Sequence, residues 1–70
     1  MGNDEKARLK TLMKYWVEHN REHSQEIGDW ATRARALGET KVAEEMLRAA
    51  QAMDKASGLL SGAMERLEAK

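Results

Sequence analysis

One spacing governs what this chain can fold into. Leu9, Met13, Trp16, Asn20, His23, Ile27, Trp30, Ala34 and Leu37 follow one another at intervals of four and three residues without a break. That rhythm places all nine on one stripe of an α-helix, because three and four residues bracket the 3.6-residue turn. No proline stands anywhere in the chain to interrupt it. Asn3 or Asp4 can cap the start of this helix, and Asp4 and Glu5 sit well against the positive end of its dipole. Gly28 lies inside the helix at a cost of roughly 1 kcal/mol relative to alanine, and the helix is expected to run through it.

Gly38 can take the left-handed conformation that ends a helix, and Thr40 can cap the next one. A second stripe then follows with the same rhythm: Val42, Met46, Ala49, Met53, Ala56, Leu60, Ala63 and Leu67. The expected organisation is a single domain over residues 1–70, with helix 1 at about 4–37, a turn at about 38–40 and helix 2 at about 41–69. Each helix would be roughly 30 residues, or about 45 Å, long. So short a connection makes the helices antiparallel neighbours. The fold class is therefore all-α, an antiparallel helical hairpin.

Two helices cannot enclose a core. Helix 2 also carries a second stripe of Ala43, Leu47, Ala50, Asp54, Ser57, Ser61 and Met64, which widens its apolar face beyond what one partner helix covers. A chain of 70 residues is marginal unless metal, disulfides or association support it. Disulfides are excluded, since there is no cysteine. Two hairpins are accordingly expected to pack as a homodimeric four-helix bundle, the C2 dimer being the commonest closed assembly. The alternative is one hairpin docking on another protein.

Charge and composition narrow the function. Twelve basic residues balance twelve acidic ones, so no global field draws the chain towards nucleic acid or an anionic membrane. No apolar run approaches the ~20 residues that span a bilayer. The lack of cysteine and of a signal-like leader gives a cytoplasmic expectation. Trp16 and Trp30 read as core and interface anchors rather than as a stacking platform for bases, because the basic groove such a platform needs is missing.

The polar residues of the first stripe are the functional question. Positions facing each other across a turn centred near residues 38 and 39 bring His23 opposite Asp54 and Asn20 opposite Ser57. Trp16 would face Ser61 and Gly62, with Gly58 and Gly62 leaving room for its ring. One reading is structural: a buried polar layer that fixes register and oligomeric state. The other is a metal site. His19 and His23, four residues apart, share a helical face and can hold one ion, with Glu26 a further turn along as a carboxylate ligand. Asp54 would be a ligand from the other helix or the acceptor that orients His23, and Asn20 and Ser57 would complete the polar layer. Two imidazoles with a carboxylate suit zinc, nickel or cobalt better than calcium or magnesium.

Enzymatic templates fit poorly. The string "HNREH" matches the H-x-x-E-H of inverted zinc peptidases, which require a much larger supporting domain. The Glu-x-x-His of di-iron bundles is absent, since Trp16 and Asn20 precede the two histidines by three residues. Ser24 beside His23 has no strand-turn-helix elbow and no oxyanion hole. A non-enzymatic protein is expected.

The stretch from Arg8 to Leu67 resembles a family of short, functionally uncharacterised bacterial and archaeal helical proteins. The residues carrying the resemblance are a W-x-x-H-N-x-x-H signature at Trp16, His19, Asn20 and His23, then Trp30 and Gly38. Relatives of that kind often have a His-rich segment ahead of the domain, which implies handling of nickel, cobalt or zinc. The resemblance thus implies a metal-binding or metal-sensing hairpin, and no His-rich segment lies within these 70 residues.

Overall fold

The computed structural model describes residues 2–69, with the side chains of residues 2 and 3 left aside. It is an antiparallel hairpin of two helices, α1 (Gly2–Ala36, 35 residues) and α2 (Thr40–Glu68, 29 residues). The result is a rod of 55 × 14 × 11 Å, one helix long, two helices wide and one helix thick. Among the described residues, no helix is long and apolar enough to cross a membrane.

α1 runs unbroken through Gly28, and a Cβ added there would meet nothing within 4 Å. Asn3 and Asp4 fall within the first turn of α1 rather than ahead of it, so neither stands at the cap position. What the Asn3 side chain does lies outside the described residues. The turn itself is a Schellman motif. Gly38 adopts φ +86°, the Glu39 amide donates to the Ala34 carbonyl at 2.9 Å and the Gly38 amide to that of Arg35 at 3.0 Å. Only glycine takes such a φ without a steric penalty, so the sequence ends α1 here. Thr40 is already helical, which corrects the expectation that it caps α2. Glu39 holds the cap position and makes no side-chain capping bond.

The hairpin seam differs in phase from the expected stripe. The buried residues of α1 are Met13, Val17, Ser24 and Ala31, with Asn20, Ile27 and Ala34 half-buried between them. This is again a four-and-three rhythm, and it shares the row Met13, Asn20, Ile27, Ala34 with the expected stripe. The second row, however, is Val17, Ser24, Ala31 instead of Trp16, His23, Trp30. On α2 the buried row is Ala43, Ala50, Ser57, while Met46, Met53, Leu60 and Leu67 are half-buried. Two rows of small residues, each at seven-residue spacing, therefore face one another.

Small side chains let the helices approach closely. Ser24 Oγ donates to the main-chain carbonyl of Ala50 at 3.3 Å, which a side chain of one carbon and one oxygen can do only if the backbones are near. Close contact of alanine rows yields dispersion along the whole rod. Among the described residues no large side chain is fully buried, Met13 keeping 6% and Val17 7% of their surface exposed. The expectation that Trp16 and Trp30 anchor the hairpin core is thus corrected: they are 41% and 52% exposed, at the edge of the seam. Gly58 and Gly62 do not receive the Trp16 ring either, for both are exposed and have open space around them.

Candidate functional site

The excluded row defines the candidate site. Leu9, Trp16, His23 and Trp30 stand seven residues apart on α1, just outside the row shared with the seam, Leu37 continues the spacing in the turn just past the helix end, and all five are exposed. A groove near the open end of the hairpin is lined by Leu9 and Met13 of α1 and by Ala63 and Leu67 of α2. The edge of α1 that carries Leu9 therefore lies on the same broad side as the edge of α2 that carries Ala63. At about 100° per residue, that edge of α2 is the row Val42, Ala49, Ala56, Ala63. One broad side of the rod thus presents large apolar residues from α1 beside a small, smooth row from α2.

The histidines sit at mid-length of α1 on this edge. His19 and His23 are both exposed, and their Nε2 atoms stand 3.0 Å apart. Their ring centroids are 4.4 Å apart at an interplanar angle of 72°. Tyr15, one turn earlier, stacks on His19 at 5.4 Å and 14°. Because Tyr15, His19 and His23 are spaced by four, each ring leans on the next along the helix. The hollow beside His19 is lined by Tyr15, Glu18, Arg21 and Glu22, all from α1. It is a trough between side chains of one helix rather than a cleft between two. Farther along, the Arg33 guanidinium lies over the Trp30 ring, 4.6 Å from its centroid.

The expected dry polar layer does not form in the hairpin. His23 and Asp54 are both exposed. Asp54 projects from the edge of α2 that also carries Leu47, on the other side of the buried Ala43, Ala50, Ser57 row from Ala49 and Ala56. The physical reason is the phase of the seam: the rotation that turns Ser24 inward carries His23 outward. Asn20 is half-buried, but Ser57 Oγ is buried with no hydrogen-bond partner, so the expected Asn20 to Ser57 bond is not made. Glu26 is exposed on the outer flank of α1. Among the described residues, no three histidine, aspartate or glutamate side chains are grouped to hold an ion within one chain. Of the expected ligands, His19 and His23 stand together, and among the described residues no third donor joins them.

Two features lie outside the expected stripes. Ser24 is no nucleophile candidate in this setting; its hydroxyl fastens α1 to the α2 backbone. The ring contact of Tyr15 with His19 was legible from its four-residue spacing alone.

A sequence-family model described as "Domain of unknown function (DUF8180)" matches residues 9–67, nearly the whole stretch that carries the resemblance noted above. No curated protein and no solved structure matches the chain.

Proposed function

The chain belongs to the DUF8180 family, and we propose that it is a non-enzymatic association module whose Trp16 and Trp30 face is covered by a second copy of the same hairpin. The observation that carries this reading is the exposure of large apolar residues along one side of a rod that has no enclosed core. Leu9, Trp16, Trp30, Leu37 and Val42 are all exposed there. A soluble chain rarely leaves so continuous an apolar strip in water unless something packs on it.

A second copy fits better than an unrelated partner because the strip is self-complementary. The row reads Leu9, Trp16, His23, Trp30, Leu37, the same from either end about His23. Two α1 helices laid antiparallel, with a two-fold axis at His23, would set Trp16 of each copy against Trp30 of the other, and Leu9 against Leu37. The neighbouring row of Leu12, His19, Glu26 and Arg33 pairs within one residue of that register. It places His19 against Glu26 and Leu12 against Arg33 of the other copy, with no like charges opposed.

The magnitudes are of the order that association needs. A tryptophan hides on the order of 150–250 Å² when buried. Covering the 41% and 52% still exposed on Trp16 and Trp30 would stabilise the assembly by about 4 kcal/mol per chain at ~25 cal/mol per Å². The two chains together then reach about 8 kcal/mol from tryptophan alone, within the range of ~4–15 kcal/mol that association costs in lost freedom. Leu9, Leu37 and Val42 add to it.

Sedimentation equilibrium tests the proposal. The chain, of 7.9 kDa, should sediment at twice its monomer mass at micromolar concentration, and the Trp16→Ala/Trp30→Ala variant should sediment as a helical monomer. A wild-type monomer at those concentrations would refute it.

A further inference from the structure

We propose that His19 and His23 of one copy and Glu26 of the second copy hold a divalent transition-metal ion, giving two equivalent sites per dimer. This rests on the association reading above, because the single chain supplies only two of the three donors. The first observation is the imidazole geometry. The two Nε2 atoms are 3.0 Å apart. Nitrogens bound to one ion at the usual 2.0–2.1 Å, with an angle between square and tetrahedral, stand about 2.9–3.4 Å apart. At that separation the Nε2–H of one ring can donate to the bare Nε2 of the other, the tautomers deciding which. An ion between the two nitrogens would take both lone pairs once each ring turns to aim its nitrogen at it.

The second observation is the incompleteness of the pair. No third histidine, aspartate or glutamate joins it among the described residues of one chain, and both rings are exposed, His23 within the Trp16 and Trp30 row and His19 on the flank next to it. The register that sets Trp16 against Trp30 of a second copy fixes what arrives there. The gap between His19 and His23 lies at residue 21, and the residue opposite it across the two-fold axis falls one position before Glu26. Glu26 belongs to the same outer row as His19, seven residues on, and is itself exposed. Rows on the outer side of one helix meet the same rows of an antiparallel copy, so the carboxylate approaches the imidazole pair from across the interface. By symmetry the same site forms twice.

Two imidazoles and one carboxylate leave one or more positions on the ion for water. This donor set suits zinc, cobalt or nickel, whereas calcium and magnesium want shells of oxygen. The ion would bridge the two copies. Metal would then tighten the dimer, and the dimer would raise metal affinity, by the same factor.

The test uses zinc ion alone with the full chain, by calorimetry, beside sedimentation of the same samples. The expected result for the wild type is one zinc per chain in a dimer. His19→Ala and His23→Ala should each abolish tight binding. Glu26→Ala should weaken it by at least about tenfold, the lower end of what even an outer-shell partner is worth to a metal site. The deciding arm mixes the His19→Ala/His23→Ala chain with the Glu26→Ala chain. Mixed dimers hold one complete site, imidazoles from one chain and carboxylate from the other, so zinc binding of wild-type affinity should reappear on mixing. If the mixture dimerises without regaining that affinity, or if Glu26→Ala binds zinc as the wild type does, the shared site is overturned and the association reading stands. If the wild type is monomeric, the association reading fails and takes the shared site with it.

Discussion

Two serines occupy equivalent places in the hairpin seam and should respond oppositely to the same substitution. Ser24 and Ser57 are each 8% exposed. Ser24 Oγ donates to the Ala50 carbonyl across the seam, whereas Ser57 Oγ is buried without a partner. A buried hydroxyl left unpaired costs about 1–3 kcal/mol, and replacing it with a methyl of similar shape removes that cost. Alanine also gains several tenths of a kcal/mol in helix propensity over serine. Ser57→Ala should therefore stabilise the fold by about 1–2 kcal/mol, which for a chain of this size raises the melting temperature by roughly 5–10 °C. In Ser24→Ala the propensity gain is offset by loss of the cross-helix bond, worth about 1 kcal/mol. The expected change is near zero or slightly destabilising. Thermal unfolding followed by circular dichroism measures both, at one fixed chain concentration because association contributes to stability. Should Ser57→Ala lower the melting temperature, or should Ser24→Ala raise it as much, the assignment of these two residues to one close-packed seam would be wrong.

Further substitutions probe the turn and the alanine rows. Gly38→Ala adds a Cβ that meets nothing within 4 Å but forces a left-handed φ of +86° on alanine, so denaturant unfolding should show a loss of about 1–2 kcal/mol from the backbone alone. Ala43→Leu places a large side chain where the native one is 0% exposed, and the overpacking should cost about 1–3 kcal/mol in the same assay. The neighbouring exposed position gives the contrast, since Glu44→Leu should change stability by less than about 0.5 kcal/mol.

Much of the fold was legible because it depends on rhythm. Four-and-three spacing, the absence of proline and Gly38 are enough to specify two long helices and a sharp reversal. What rhythm does not carry is phase. Met13, Asn20, Ile27 and Ala34 belong to two possible seams, one completed by Trp16, His23 and Trp30 and the other by Val17, Ser24 and Ala31. Residue size points to the first, since tryptophans bury the most area. The hairpin uses the second, because two helices with a short turn approach most closely through alanine and serine. Ala43, Ala50 and Ser57 at seven-residue spacing on α2 were the available signal. The same choice explains the candidate site. His19 and His23 meet at 3.0 Å because four-residue spacing brings side chains together wherever that face points. Their facing Asp54 depended on phase and did not follow. The self-complementary order of Leu9, Trp16, His23, Trp30 and Leu37 was present in the sequence, and its meaning emerges only once that row is seen to be left outside the hairpin.

The most direct test of a second copy on that row is disulfide trapping, which the absence of native cysteine makes clean. A residue on a two-fold axis faces its own image, so in metal-free protein His23→Cys should oxidise rapidly to a covalent dimer. Tyr15→Cys, on the exposed back of α1, should remain largely monomeric under the same mild oxidant. Slow crosslinking through position 23, or crosslinking no faster than through position 15, would contradict an antiparallel pairing of two α1 helices about His23.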